Sequence, residues 1–296
     1  MEKMKSKINL HIHSNDSLDG KENMETVLDR CEEQGLEIVS ITDHNTTDAY
    51  FNLQNTKFSG KLIAGMEADA MIGTKTYDIL CFDFKLEEVS SWTKDQYKTV
   101  DVRQQKIFNK LLEKCENIGI EVPNTNSYNA KTEYAHGALF RLLMETKKEN
   151  SFLNKYDIKT QGDLYRLGTM NEEFPLYIDM HLVWPGIEEL REIIHKNGGK
   201  LFLAHPFRYG KKEIENILEN CLPYIDGIEI NNNPKTKEEI IYLYNYAKNH
   251  DLLISAGSDY HGEEDYHNKL AVEGLEEQME QEIYSWTKNC KNLIKK

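Results

Sequence analysis

Two histidines one residue apart, His11 and His13 in Ile8-Asn9-Leu10-His11-Ile12-His13, are the first residues whose spacing points to chemistry. In an extended strand a period of two puts both imidazoles on one face. Two neutral imidazoles so placed can share one metal ion. Taken alone, an HxH pair is more often two surface or core histidines than a metal site. The residues that follow sharpen it: Ser14-Asn15-Asp16-Ser17-Leu18-Asp19-Gly20 supplies a carboxylate, and a turn at Gly20 folds Asp19 back toward the strand end.

Further clusters repeat the theme. Ile41-Thr42-Asp43-His44-Asn45 offers His44 as a ligand, while Asp43 either accepts the second N–H of a neighbouring imidazole or caps a turn. Ala64-Gly65-Met66-Glu67 presents a carboxylate able to bridge two cations at a predicted strand end. Leu203-Ala204-His205-Pro206 and Gly257-Ser258-Asp259-Tyr260-His261 complete the set. Five ligand-type groups at five predicted strand ends exceed what a hydrophobic barrel requires structurally, and strand C-termini are where barrel active sites are built. Mixed imidazole and carboxylate donors suit zinc, manganese or iron. Arg208, just beyond His205, either pairs bidentately with a phosphate or makes a surface salt bridge.

The elements that must carry these residues read as strands alternating with helices. Strand candidates lie at 8–12, 38–42, 61–64, 77–84, 200–204, 227–230 and 252–256, and amphipathic helices at 24–34, 188–197, 213–221 and 237–249. Helices between the later strands are what parallel crossovers need. Between about 92 and 184 the rhythm gives way to helical patterns, notably 102–118 and 133–147, which reads as an insertion. The predicted organisation is residues 1–91 and 185–296 as an α/β barrel, with 92–184 a mainly helical insertion covering the active-site face. The segment 274–296 reads as a charged surface helix.

Composition narrows the function classes. The 296 residues suffice for one barrel with an insertion. Five scattered cysteines without CxxC spacing argue against a disulfide framework and a thiolate metal site, and suggest a reducing cytoplasm. Neither a signal peptide nor a membrane span is expected. A formal net charge of −14 disfavours a long nucleic-acid footprint, whereas small phosphorylated ligands can have their charge met locally by metal ions. Walker and GxSxG motifs are absent.

In order and residue type, the HxH with its downstream Asp-Gly, the Thr-Asp-His-Asn, the Gly-Met-Glu, the Ala-His-Pro and the Gly-Ser-Asp-x-His segments resemble the successive motifs of PHP (polymerase and histidinol phosphatase) domains. The resemblance implies a distorted (β/α)7 TIM-like barrel holding two or three divalent metals, with His11, His13, Asp19, His44, Glu67, His205, Asp259 and His261 as ligands. PHP phosphoesterases that act on nucleotides carry a histidine eleven residues after the motif glutamate. Here that position is Asp78, an oxygen ligand that would favour manganese or iron over zinc, or else a solvent-facing strand residue. Tyr134-Ala135-His136-Gly137 with Arg141 resembles a substrate-facing segment of nucleotide-cleaving relatives, although its Arg-Pro is replaced by Tyr134-Ala135, which leaves His136 either a substrate or leaving-group role or a helix-packing one. The resulting expectation is a metal-dependent phosphoesterase of nucleoside bisphosphates or short oligonucleotides. Asp43, His136 and Arg208 would be catalytic, and Arg208, His136 and Arg141 would contact substrate. Alternatives are a histidinol-phosphate phosphatase, a non-catalytic PHP module binding metal or a phospholigand, and, lower, an amide hydrolase. His181, His195, His250 and His267 are expected in surface or capping roles.

Overall fold

The computed structural model describes residues 6–145, 147–232, 236–263 and 269–294, with the backbone alone for 147–150. His267 lies outside the described residues. The chain divides into two compact units. The first comprises Met1–Ala70, Tyr77–Thr93 and Ile187–Lys296, and the second Met71–Thr76 and Lys94–Gly186.

The first unit is α/β, as the strand-helix rhythm predicts. One sheet has the order β1 (Ile8–Asn9), β2 (Ile38–Val39), β3 (Lys61–Leu62), all parallel. The other runs β4 (Gly65–Ile72), β5 (Lys75–Phe82), β6 (Lys200–Leu203), β7 (Gly227–Asn232), β8 (Leu253–Gly257), with β5 antiparallel to β6 and the last three parallel. Helix α1 (Met24–Glu33) follows β1 and buries Met24, Val27, Leu28 and Cys31 against Val39, Ile41 and Leu62, the spacing of an apolar helix face. The short α2 (Asp48–Asn52) follows β2.

Among the described residues, ladder pairing does not close these strands into one barrel. Between β8 and β1 the bonds are sparse, with Leu10 N–H donating to the Ala256 carbonyl and His13 N–H to that of Tyr260. The buried Asn9 side chain makes up the difference by donating to Ser258 Oγ and accepting from Ser258 N–H. Gly257 permits the approach, because a Cβ there would stand 2.1 Å from His11 Cβ. Strand β4 is also absent from the sequence reading. Gly, Ala, Glu and Asp are poor strand formers, so its pairing rather than its propensity makes it a strand. Glu67 is accordingly the third residue of β4 and not a strand terminus.

Helix α3 (Leu86–Tyr97) runs from the first unit into the second. The second unit then carries α4 (Val100–Asn117), α5 (Ala135–Met144), α6 (Lys147–Lys155) and α7 (Gln161–Met170), the last begun by a reciprocal capping box between Thr160 and Asp163. Back in the first unit, α8 (Ile187–Lys196), α9 (Ile214–Cys221) and α10 (Lys237–Asn249) separate β6, β7 and β8. The last helix, α11 (Glu277–Thr287), is shorter than the predicted 274–296. Beyond it the chain pairs with β3, where Ile294 N–H donates to Leu62 and Ala64 N–H to Asn292. All five cysteines are buried and free, and among the described residues no helix is long and apolar enough to cross a membrane.

Candidate metal centre

The HxH pair follows β1, and its two rings meet with Nε2 atoms 3.1 Å apart. The opposite nitrogen of each ring is already engaged. His11 Nδ1 lies 2.9 Å from Glu229 Oε1, an acceptor-only group, so that nitrogen is the protonated one. His13 Nδ1 lies 3.1 Å from Ser17 Oγ. The Ser17 hydroxyl donates its own proton to Asp43 Oδ1 at 2.8 Å and also accepts from His44 N–H at 2.9 Å, so His13 Nδ1 must be a donor too. Both Nε2 lone pairs therefore point inward at each other, an arrangement that needs a positive charge between them.

Glu67 lies at the middle of the cluster. Its Oε2 is 3.1 Å from both His11 Nε2 and His13 Nε2 and 3.3 Å from His44 Nδ1, while its Oε1 is 2.9 Å from His205 Nε2. Asp259 Oδ1 stands 3.3 Å from each of the HxH Nε2 atoms. Among the described residues three overlapping donor groups result: His13, His44 and His261; His11, His13, Glu67 and Asp259; and Glu67, Asp78 and His205, each with its donor atoms within 4.8 Å of one another. His13 and Glu67 each belong to two groups, the geometry of bridging or adjacent cation positions. Asp19, folded back as the Gly20 turn requires, lies 3.5 Å from His261 Nε2 and 3.8 Å from His44 Nε2. Gly20 is needed there because a Cβ would lie 1.8 Å from the Ser14 carbonyl oxygen.

The loop backbones that deliver these groups are held in a sparsely populated conformation. His205 and Asp259 have φ of 28° and 56°, and Asn45, beside His44, has φ 60°. Such residues persist where surrounding structure over-determines them, often at functional sites. The electrostatics agree with a cation-seeking cluster. Burial lowers the basicity of His13, yet hydrogen bonds to Asp259 and Glu67 overturn this and push it up to about 10. His11 is likewise raised, burial being outweighed by Glu67, Glu229 and Asp259. Glu67 is held well below the usual carboxylate range: burial opposes this, but His11 and His44 prevail. Burial, with Asp69 and Glu67 nearby, raises Asp78.

Eight of the nine ligand candidates named from sequence fall in the three donor groups, with Asp19 adjoining. Of the two roles expected for Asp43, direct acceptance of an imidazole N–H is not the one seen. It touches no imidazole directly and instead accepts from Ser14 N–H, Ser14 Oγ and Ser17 Oγ, orienting His13 through the serine. The direct partner of an imidazole is Glu229, which sequence reasoning missed. A signal existed, since a carboxylate inside the apolar run Gly227-Ile228-Glu229-Ile230 is costly to bury unless it has partners. Arg208 lies at the rim, 39% exposed, with a nitrogen 2.5 Å from Asp259 Oδ2. Asp19 and His44 are 34% and 25% exposed, so this side of the cluster faces solvent.

His136 and Arg141 belong to the second unit. His136 is buried beside Tyr165 and Gly168, and burial pushes its ring down to about 4. The Arg141 guanidinium is engaged bidentately by Glu133, at 2.9 and 2.8 Å. Of the remaining histidines, His250 caps α10 and bonds the Tyr246 carbonyl, His195 bonds Asp226, and His181 bonds Asp179 on the surface.

The donor set fits divalent cations: nitrogens and carboxylate oxygens without thiolate, two Nε2 lone pairs in opposition, and buried polar atoms such as Asp19 Oδ1 and His205 Nδ1 without hydrogen-bond partners. Comparison with known proteins agrees. Residues 9–294 match the PHP domain. The 5'-3' exoribonuclease of Haemophilus influenzae is 26% identical over 270 residues, spanning 87% of this chain and 91% of that protein. The 5'-3' exoribonuclease Rnm of Escherichia coli is 25% identical over 265 residues, spanning 85% and 84%. Among solved structures, an amidohydrolase from Chromobacterium violaceum superposes with a TM-score of 0.64 at 20% identity, covering 94% of this chain and 97% of its own. A protein from Bifidobacterium adolescentis assigned as a metal-dependent phosphoesterase gives 0.56, also at 20% identity, covering 94% and 95%. At that identity the two structures speak for the fold.

Proposed function

The chain belongs to the PHP domain family, and on that premise we propose that it is a metal-dependent phosphoester hydrolase whose substrates are nucleotides, either short oligoribonucleotides or nucleoside bisphosphates. The observation that carries this reading is the trio of overlapping donor groups sharing His13 and Glu67. His11, His13, His44, Glu67, Asp78, His205, Asp259 and His261 would hold the metals, with Asp19 beside His44 and His261. Divalent cations bound there supply a nucleophile at neutral pH by acidifying water and neutralise charge that builds on the phosphoryl oxygens.

The chain's own residues supply position and charge. Glu67 turns one carboxylate oxygen to His11, His13 and His44 and the other to His205, holding ligands from separate strands in one register. Ser17 and Asp43 fix His13 with Nε2 inward. Arg208, at the solvent-facing rim, is placed to take a phosphate oxygen as a guanidinium fork does. A distorted (β/α)7 barrel would be the frame of this site, with β1 and β8 brought together by Asn9 and Gly257.

Relatives named as exoribonucleases support the nucleotide preference. They also remove the support for excluding nucleic acid, which rested on net charge alone. Charge averaged over a surface does not describe a site at which cations are concentrated.

The test is phosphoester turnover by protein stripped with chelator and reloaded with manganese, iron or zinc. Its substrates are a 5'-phosphorylated short oligoribonucleotide, adenosine 3',5'-bisphosphate and histidinol phosphate. Metal-dependent release of mononucleotide or phosphate from either nucleotide is the expected result. Turnover of histidinol phosphate alone would assign the alternative phosphatase, and bound metal with no turnover would favour a binding module.

A further inference from the structure

Glu229 has no exposed surface, and it sits in β7 between Ile228 and Ile230. An ionised side chain in such a place is retained only if it is fully used. Its two oxygens are used by two different strands. Oε1 accepts from His11 Nδ1 at 2.9 Å, and Oε2 accepts from the backbone N–H of His205 at 2.7 Å. His11 is delivered by the extension of β1 and His205 by the end of β6. The register of β7 against β8 shifts between Glu229 and Asn231, a bulge of the kind that re-aims a side chain.

From this geometry we infer that Glu229 is a positioning residue of the metal centre, fixing His11 with its Nε2 free for a metal while pinning the left-handed backbone that presents His205. The inference rests on the metal-centre reading above but not on any substrate. Only an acceptor-only group satisfies both donors. A glutamine would meet one of them with its own N–H, so the isosteric change Glu229→Gln breaks one arm of the clamp while keeping its volume. The same carboxylate orients two donors from different groups, His11 of the set with His13, Glu67 and Asp259, and His205 of the set with Glu67 and Asp78. Losing it should therefore weaken both.

The experiment measures metal binding rather than turnover, so a failure of the nucleotide assignment would leave it intact. Metal-free protein and its Glu229→Gln variant are titrated with manganese, and the thermal midpoint of each metal-free form is recorded. The expected result is an affinity lower by about 10–100-fold, as is usual for partners that orient metal-bound histidine, with the metal-free variant still folded and melting cooperatively. Equal affinities would overturn the inference. Should the variant not fold, the unaltered protein decides the matter. Loaded with zinc as a diamagnetic probe, it should show in long-range proton–nitrogen spectra that His11 is ligated through Nε2 and keeps a slowly exchanging Nδ1–H. Ligation through Nδ1, or an Nδ1–H in rapid exchange with solvent, would overturn it equally.

Discussion

Three of the converging imidazoles have one nitrogen committed outside the cluster. His11 is committed to Glu229, His13 to Ser17, and His261 to the Asp259 carbonyl at 2.8 Å. An imidazole fixed in this way offers its other nitrogen at no cost in rotation or tautomer when a cation arrives. Ser17 carries an unusual share, since one hydroxyl accepts from His13 and His44 and donates to Asp43. Ser17→Ala is expected to cost about 1–3 kcal/mol in chemical denaturation, the scale for buried polar groups left unpaired. It should also lower manganese affinity by about 10–100-fold, read by calorimetric titration. A stability loss without an affinity loss would leave the serine a purely structural residue.

At the scale of elements, α1 does more than bury an apolar face. Its outer side carries Glu25 and Asp29, which accept the backbone N–H groups of Gln54, Asn55 and Lys57, so that carboxylates of α1 help tie down the loop before β3. Those backbone donors hold both carboxyls below the usual range. A carboxyl whose pKa is depressed on folding contributes stability that is complete above its unfolded value, near pH 4, and is lost as pH falls through the lower folded value. The double substitution Glu25→Ala, Asp29→Ala should therefore lower the thermal midpoint at pH 7, and the gap from the parent should close as pH falls below about 4. A gap independent of pH would mean that these groups act through packing and not through charge.

For the whole molecule, the cluster concentrates buried acid and imidazole groups in one place, a demand that a hydrophobic core alone would not make. A cation that binds the folded chain and not the unfolded one stabilises it by mass action, about 2.7 kcal/mol per site at a free concentration 100 times Kd. Stripping metal with chelator should lower the thermal midpoint, and manganese should restore it in a concentration-dependent way. An unchanged midpoint would mean that the donor groups stand assembled but do not bind.

Legible in the sequence were the α/β class, the positions of α1, α4, α5, α8, α9 and α10 to within a few residues, and the residue types that come together in the donor groups, whereas α2, α3 and α7 were not placed and α11 is shorter than expected. Periodicity and ligand spacing are local properties, and each motif travels with its own strand. It did not reveal β4, whose Gly, Glu, Ala and Asp residues become a strand only through pairing, nor that the segment after α11 turns back to pair with β3. It did not reveal Glu229 or the place of Ser17, because both are defined by what another strand brings within 3.1 Å. The meeting of Nε2 atoms, the sharing of Glu67 between groups and the route from Asp43 to His13 through Ser17 were likewise decided by tertiary structure. Hydrogen bonds and donor groups are relations between distant segments, and only the folded chain sets those distances.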